Sequence, residues 1–134
     1  MTAQRGSVRR QVRISRSPAD VWALVGDPAR LPEWFPGITS VTVDGKSRVV
    51  VTGTGIPLPE EIVTNDAISR RFQYRITAPI FREHLSTLDV FDLGDETCIV
   101  SYSADADPAT MALVLAGAAG HALEHLRTML EAPR

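Results

Sequence analysis

The 134-residue chain has the length of one domain, enough to bury a real core and too short for two ordinary ones. With 44% apolar and 22% charged residues it is globular rather than disordered, and a formal charge of -2 gives no general electrostatic reason to bind nucleic acid. The lone Cys98 excludes an internal disulfide and reads as a small buried hydrophobe rather than a nucleophile.

After a loose start, a first strand is expected over 7–15. Val8, Val12 and Ile14 share one parity and Arg9, Gln11 and Arg13 the other, with Arg10 the exception. Arg5, Arg9, Arg10, Arg13 and Arg16 make this region basic, which reads as a solvated strand face or edge before any RNA, acidic-protein or membrane-surface contact. The amino end has no apolar run of signal-peptide type, so the protein is read as soluble and cytoplasmic, without stable membrane insertion.

Ser17, Pro18 and Asp20 form a helix start: a capping oxygen, a proline where no donor is needed, and negative charge in the first turn. Gly26-Asp27-Pro28 ends that helix and opens a second short one carrying Leu31 and Trp34. Trp22 reads as a core anchor, and Trp34, preceding Phe35-Pro36, as part of a cavity mouth.

Strands are expected next over 38–44 and 47–54, joined by the Asp44-Gly45 turn signal. Thr52-Gly53-Thr54-Gly55 lacks the lysine of a phosphate loop and reads as a turn or bulge; no cofactor is expected. A strand over 57–64 puts Leu58, Glu60 and Ile62 on one parity, and Asn65-Asp66-Ala67 reads as a turn. Over 68–77, Ile68, Phe72, Tyr74 and Ile76 face one way, with Arg70 a charged member of the same parity. Long strands follow over 82–93, with His84, Ser86, Leu88 and Val90 on one side, and over 97–106, with Val100, Tyr102, Ala104 and Ala106 aligned.

Asp107-Pro108 repeats the helix-start signal, with Asp107 as N-cap, and the last helix runs to about Glu131. At 100° per residue its apolar stripe comprises Met111, Leu115, Ala118, Ala119, Ala122, Leu126, Met129 and Leu130. The small residues from Gly117 to Ala122 permit either close packing on the sheet or room for a ligand. His121 and His125 lie near each other on this helix, but HALEH is not HExxH and zinc needs a third ligand, so no metal is expected and the pair reads as a flank, with His125 edging toward the core.

The order strand, helical corner, antiparallel strands, long helix is compatible with an α+β grip. At Pro18-Ala19-Asp20-Val21-Trp22, Asp27-Pro28, Leu31, Trp34 and Pro36, the chain closely resembles the START-like, Bet v 1-like superfamily, especially its polyketide cyclase/dehydrase and lipid-transport group. Leu58-x-Glu60, Asp66, Tyr74, Pro79, Glu83-His84 through Val90, and Val100 with Tyr102 extend the likeness over nearly the whole chain. The resemblance implies a helix-grip fold: a curved seven-stranded antiparallel sheet wrapped around the C-terminal helix, with two short helices after the first strand, as one domain over 1–134. It also implies an elongated cavity walled by Trp34, Leu58, Glu60, Phe72, Tyr74, His84, Ser86, Leu88, Tyr102, Leu115, Ala119 and Ala122. Two positions depart from the family pattern: Lys46-Ser47-Arg48-Val49 replaces a glycine-rich stretch, and His84 stands where close relatives often carry tyrosine.

Glu60, Arg70, His84 and Tyr102 are polar groups on otherwise apolar parities, and burying them requires mutual hydrogen bonds, water or a polar ligand group. As catalysts, His84 would exchange a proton with an enolisable carbonyl substrate, Glu60 would set its charge or tautomer, and Arg70 or Tyr102 would stabilise an oxyanion. Three functions fit these residues. The first is binding or carriage of a small hydrophobic or aromatic metabolite between sheet and helix. The second is a cyclase or dehydratase acting on a carbonyl-bearing substrate, and the third is a regulatory scaffold with a filled core, dimerising through an exposed strand or the His121-His125 side.

Overall fold

The computed structural model describes residues 4–133. Residues 1–3 and 134 of the domain expected over 1–134 lie outside the described residues. The chain forms β1 (Gly6–Ile14), α1 (Pro18–Val25), a 3-10 turn (Pro28–Arg30), α2 (Leu31–Trp34), β2 (Ile38–Asp44), β3 (Ser47–Thr52), β4 (Pro57–Asp66), β5 (Arg71–Ile76), β6 (Glu83–Gly94), β7 (Thr97–Asp107) and α3 (Ala109–Glu131). The seven strands make one curved antiparallel sheet in the order β1-β7-β6-β5-β4-β3-β2. Every strand after β2 is laid beside its predecessor, and β1 closes the far edge against β7. The helix-grip fold that the family resemblance implies is therefore the one observed.

The helical corner forms as its residues dictate. Ser17 Oγ accepts the Asp20 N–H at 3.1 Å, and Asp27 Oδ1 accepts the Ala29 N–H at 3.0 Å. Gly26 is required for a steric reason: a Cβ there would stand 2.4 Å from Cε2 of Trp22, which folds back over the end of its own helix. Trp22 is half-buried and packs against the core, as expected of it, whereas Trp34 is 1% exposed and belongs to the core rather than to a cavity mouth.

Two boundaries are corrected. The strand expected over 68–77 begins only at Arg71; residues 67–70 form the turn, and β4 runs through Asn65 to Asp66. Asp66 holds this turn by accepting the N–H groups of Ile68 and Ser69, leaving Ile68 94% exposed and Arg70 at a φ of 52°. At the last helix the N-cap is Pro108, because the carboxylate of Asp107 is taken by Arg82 at 2.8 and 3.1 Å.

α3 packs on β1 and β7 and touches α2. Its buried line is Ala112, Ala116, Ala119, Ala122, Leu123 and Leu126, rotated from the expected stripe. Ala118 and Met129 are exposed, Leu115 is half-buried, and His125 is exposed rather than turned to the core. The reason is proximity. Small side chains let the helix lie close to the strands, and the stem of Arg10 crosses Gly120 so tightly that a Cβ there would meet Arg10 Cγ at 3.2 Å. That contact also accounts for Arg10 on the inner parity of β1. Among the described residues no helix is long and apolar enough to cross a membrane.

Gly26→Ala is expected to cost about 1–3 kcal/mol by driving a methyl into the Trp22 ring. Gly117→Ala, where the space is open, should gain up to about 1 kcal/mol from helix propensity. Urea unfolding of both variants measures the contrast.

Candidate functional site

α3 packs on β1 and β7, and a cavity of about 500 Å³ lies between α3, the α2 corner and the inner face of the remaining strands. Its wall comes from the α2 corner through Leu31, Phe35 and Pro36, and from β2–β4 through Ile38, Val50, Leu58 and Glu60. Tyr74 and Ile76 of β5, Tyr102 of β7, and Leu115 and Ala118 of α3 complete it. Gly37, Gly53 and Thr54, all exposed, bring the cavity to the surface. Apolar walls with a few polar groups suit a small-molecule site.

Five of the expected wall residues, Leu58, Glu60, Tyr74, Tyr102 and Leu115, line this cavity. Trp34, Phe72, His84, Ser86, Leu88, Ala119 and Ala122 do not: all are at most 2% exposed, packed behind the wall or under α3. Phe35 stands at the mouth in place of Trp34, whose ring it meets at a centroid distance of 5.8 Å. Arg70 drops out of the polar set, since its turn lies beyond the start of β5.

The residue that the sequence reading missed is Arg48. It lies directly opposite Glu60 in the β3–β4 register, and both side chains are almost fully buried, at 2% and 5% exposure. Glu60 Oε1 accepts from Nε at 2.9 Å and from Nη2 at 2.6 Å, while Nη1 donates to the Pro28 carbonyl at 3.2 Å. The guanidinium lies over the rings of Phe72 and Tyr74, 5.3 and 4.9 Å from their centroids. Burial raises the Glu60 carboxyl above its ordinary range, and the charge and hydrogen bonds of Arg48 oppose that shift. A signal was available: Arg48 shares the parity of Val50, and a buried Glu60 needs a cation within reach.

His84 is likewise held by other partners than expected. Nδ1 accepts the Ile76 backbone N–H at 2.7 Å, so Nε2 carries the proton and donates to Ser86 Oγ at 2.8 Å. Glu60 therefore does not set its tautomer. Burial first, then the charge of Arg75, lowers the imidazole to about 4, with Asp105 opposing. The hydroxyls of Tyr74 and Tyr102 bond each other. Burial and then the Glu60 charge push the Tyr74 phenol up to about 12, and Tyr102 is held well above the usual range mainly by burial. Both remain neutral hydroxyls at physiological pH.

Comparison with known proteins follows from this geometry. The family described as "Polyketide cyclase / dehydrase and lipid transport" matches residues 5–131. No curated protein matches the chain. Among solved structures, the chain is similar to XoxI from Bacillus cereus at 23% identity and a TM-score of 0.86, covering 93% of this chain and 95% of that one. A solution structure from Thermobifida fusca is 29% identical with a TM-score of 0.76, covering 96% and 97%. A START superfamily protein from Mycobacterium smegmatis is 17% identical with a TM-score of 0.70, covering 93% and 94%.

Arg48→Met alone should cost about 3–5 kcal/mol, because it strands the buried Glu60, and adding Glu60→Leu should recover most of that loss; urea unfolding of the singles and the double reads the cycle. His84 generates a separate pH dependence. The unfolded imidazole takes up a proton as pH falls through 6.5, whereas the folded one resists until about 4. Its contribution is thus complete above 6.5 and lost on acidification across that window, by up to about 3 kcal/mol. His84→Asn, which keeps an acceptor for the Ile76 N–H, should flatten the pH–stability curve there relative to wild type.

Proposed function

The chain belongs to the polyketide cyclase/dehydrase and lipid-transport family of the START-like superfamily, and from that membership and the lining of the cavity we propose that it binds and carries a small hydrophobic or aromatic molecule between the sheet and α3, in the cytoplasm. The observation that carries this reading is the cavity of about 500 Å³ itself, apolar on nearly every side and open at the Gly37–Gly53 rim. Its volume falls within the ordinary range of about 300–1,000 Å³ for ligand sites. It also counts against a scaffold whose core is filled.

One observation favours a second reading, turnover of cyclase or dehydratase type. Two neutral hydroxyls, Tyr74 and Tyr102, share the wall with Glu60, and such donors stabilise charge developing on a carbonyl oxygen. Carriage is the better supported of the two. His84, the base in that scheme, has both ring nitrogens bonded within the protein and is neutral at physiological pH, and Glu60 is tied to Arg48.

Native mass spectrometry after mild purification, with denaturing identification of whatever is released, tests the reading and reports the oligomeric state in the same spectrum. The expected result is a retained small apolar molecule. The fluorophore N-phenyl-1-naphthylamine should bind wild type, and Leu115→Trp, which fills the cavity from α3, should weaken it at least about tenfold. Equal binding by the two proteins, with nothing retained, would overturn carriage; steady conversion of the retained molecule to product would establish turnover instead.

A further inference from the structure

The two hydrogen bonds between Arg48 and Glu60 converge on one carboxylate oxygen. Oε1 accepts both, and Oε2 accepts none among the described residues. A carboxylate ordinarily spreads its acceptor capacity over both oxygens. Nor is Oε2 sealed in the protein: the side-chain polar atom that is sealed without a partner, among the described residues, is Nε1 of Trp34. Glu60 is 7% exposed and lines the cavity, so the surface left to Oε2 opens on the cavity. Arg48 does not line it, and each of its three nitrogens already has a protein acceptor. An incoming molecule meets a carboxylate oxygen and not the guanidinium behind it.

We infer that Glu60 is a specificity-determining residue whose Oε2 selects neutral ligands carrying a hydroxyl hydrogen-bond donor and rejects carboxylates. This rests on the carrier reading of the same cavity. Charge decides the class of ligand. Arg48 and Glu60 together are neutral, so a cationic ligand would add an uncompensated charge to an apolar enclosure, at high cost. A carboxylate would face Oε2 with two acceptors and no available cation. A neutral alcohol or phenol gives Oε2 the bond it lacks without adding charge, and a hydrogen bond to an ionised acceptor of this kind is worth roughly 10- to 100-fold in affinity. Tyr74 and Tyr102, whose hydroxyls bond each other, belong to the same wall.

The test uses one aromatic body with four polar ends: 1-naphthalenemethanol, its methyl ether, 1-naphthoate and 1-naphthylmethylammonium, each titrated calorimetrically into the full chain. In wild type the alcohol should bind at least about tenfold more tightly than the ether, and more tightly than either ion. In Glu60→Gln the amide oxygen faces Arg48 and the amide N–H turns to the cavity, so the alcohol's advantage should fall below about threefold while the ether's affinity holds. If Glu60→Gln does not fold, the double variant Arg48→Met/Glu60→Leu, which leaves no buried charge, should show the same loss of preference. Equal affinity of alcohol and ether in wild type, tightest binding of the naphthoate, or an unchanged preference in both variants would overturn the inference while leaving carriage intact. Absence of binding by all four probes would overturn carriage together with it.

Discussion

The buried Arg48–Glu60 pair is the constraint around which the open half of this protein is arranged. Two charges withdrawn from water are costly, and their attraction compensates only when the geometry is good and the remaining polar groups are satisfied. Here the cross-strand register supplies the geometry by setting the residues opposite each other on β3 and β4. The Pro28 carbonyl satisfies the outer nitrogen and so fastens the helical corner to the sheet, and the rings of Phe72 and Tyr74 form the bed on which the guanidinium lies. Each of these elements also positions a part of the cavity wall. The pair therefore does more than close a gap: it relates the corner, the hairpin and β5 to one another behind the cavity wall.

The closed half is organised by size rather than charge. Ala112, Ala116, Ala119 and Ala122 bring α3 close to β1 and β7, Gly6 admits it where a Cβ would stand 2.7 Å from the Ala109 carbonyl oxygen, and Gly120 leaves room for the Arg10 stem. A helix seated this tightly over two strands cannot also cover the other five. The small-residue centre of α3 was open to two interpretations, close packing or ligand room, and both are realised on different flanks. The alanines pack, while Leu115 and Ala118 face the cavity that the helix leaves uncovered. Close packing in one half is what makes room in the other.

What was legible in the sequence was whatever depended on local chemistry or on period. Ser17 caps as its neighbours predict, the strand parities of β1, β6 and β7 hold, and the fold is the one that the family resemblance implies. What was not legible depended on partners distant in the chain. Arg70 looked inward by parity, but Asp66 captures the preceding turn and shifts the start of β5. Asp107 looked like a cap, but Arg82, 25 residues away, takes its carboxylate. Trp34 sinks into the core and leaves the mouth to Phe35, and Gly26 lets Trp22 lie across its own helix end, a contact that no periodicity encodes. Arg48 was passed over as a departure from a glycine-rich pattern, although a buried Glu60 on the neighbouring strand already demanded a cation.

The polar residues behind the wall follow from the same accounting. Ile76 sits at the end of β5, beyond the residues of that strand that pair with β6, and its N–H needs an acceptor. His84 Nδ1 provides it, which fixes the proton on Nε2, which in turn requires an acceptor and finds Ser86 Oγ. Ser86 is thereby left with its own hydroxyl hydrogen to give, and in the strand register it stands directly opposite Tyr74, whose hydroxyl is paired with Tyr102. The direction of the Ile76–His84–Ser86 bonds is set at their buried end by a backbone N–H that cannot reverse. Two tyrosine hydrogens are available and one bond joins the hydroxyls, so one hydrogen is left outside the mutual bond. The wall consequently carries a mutually bonded tyrosine pair and the Glu60 carboxylate, and the bonds that Arg48 makes behind the wall decide which carboxylate oxygen is already taken.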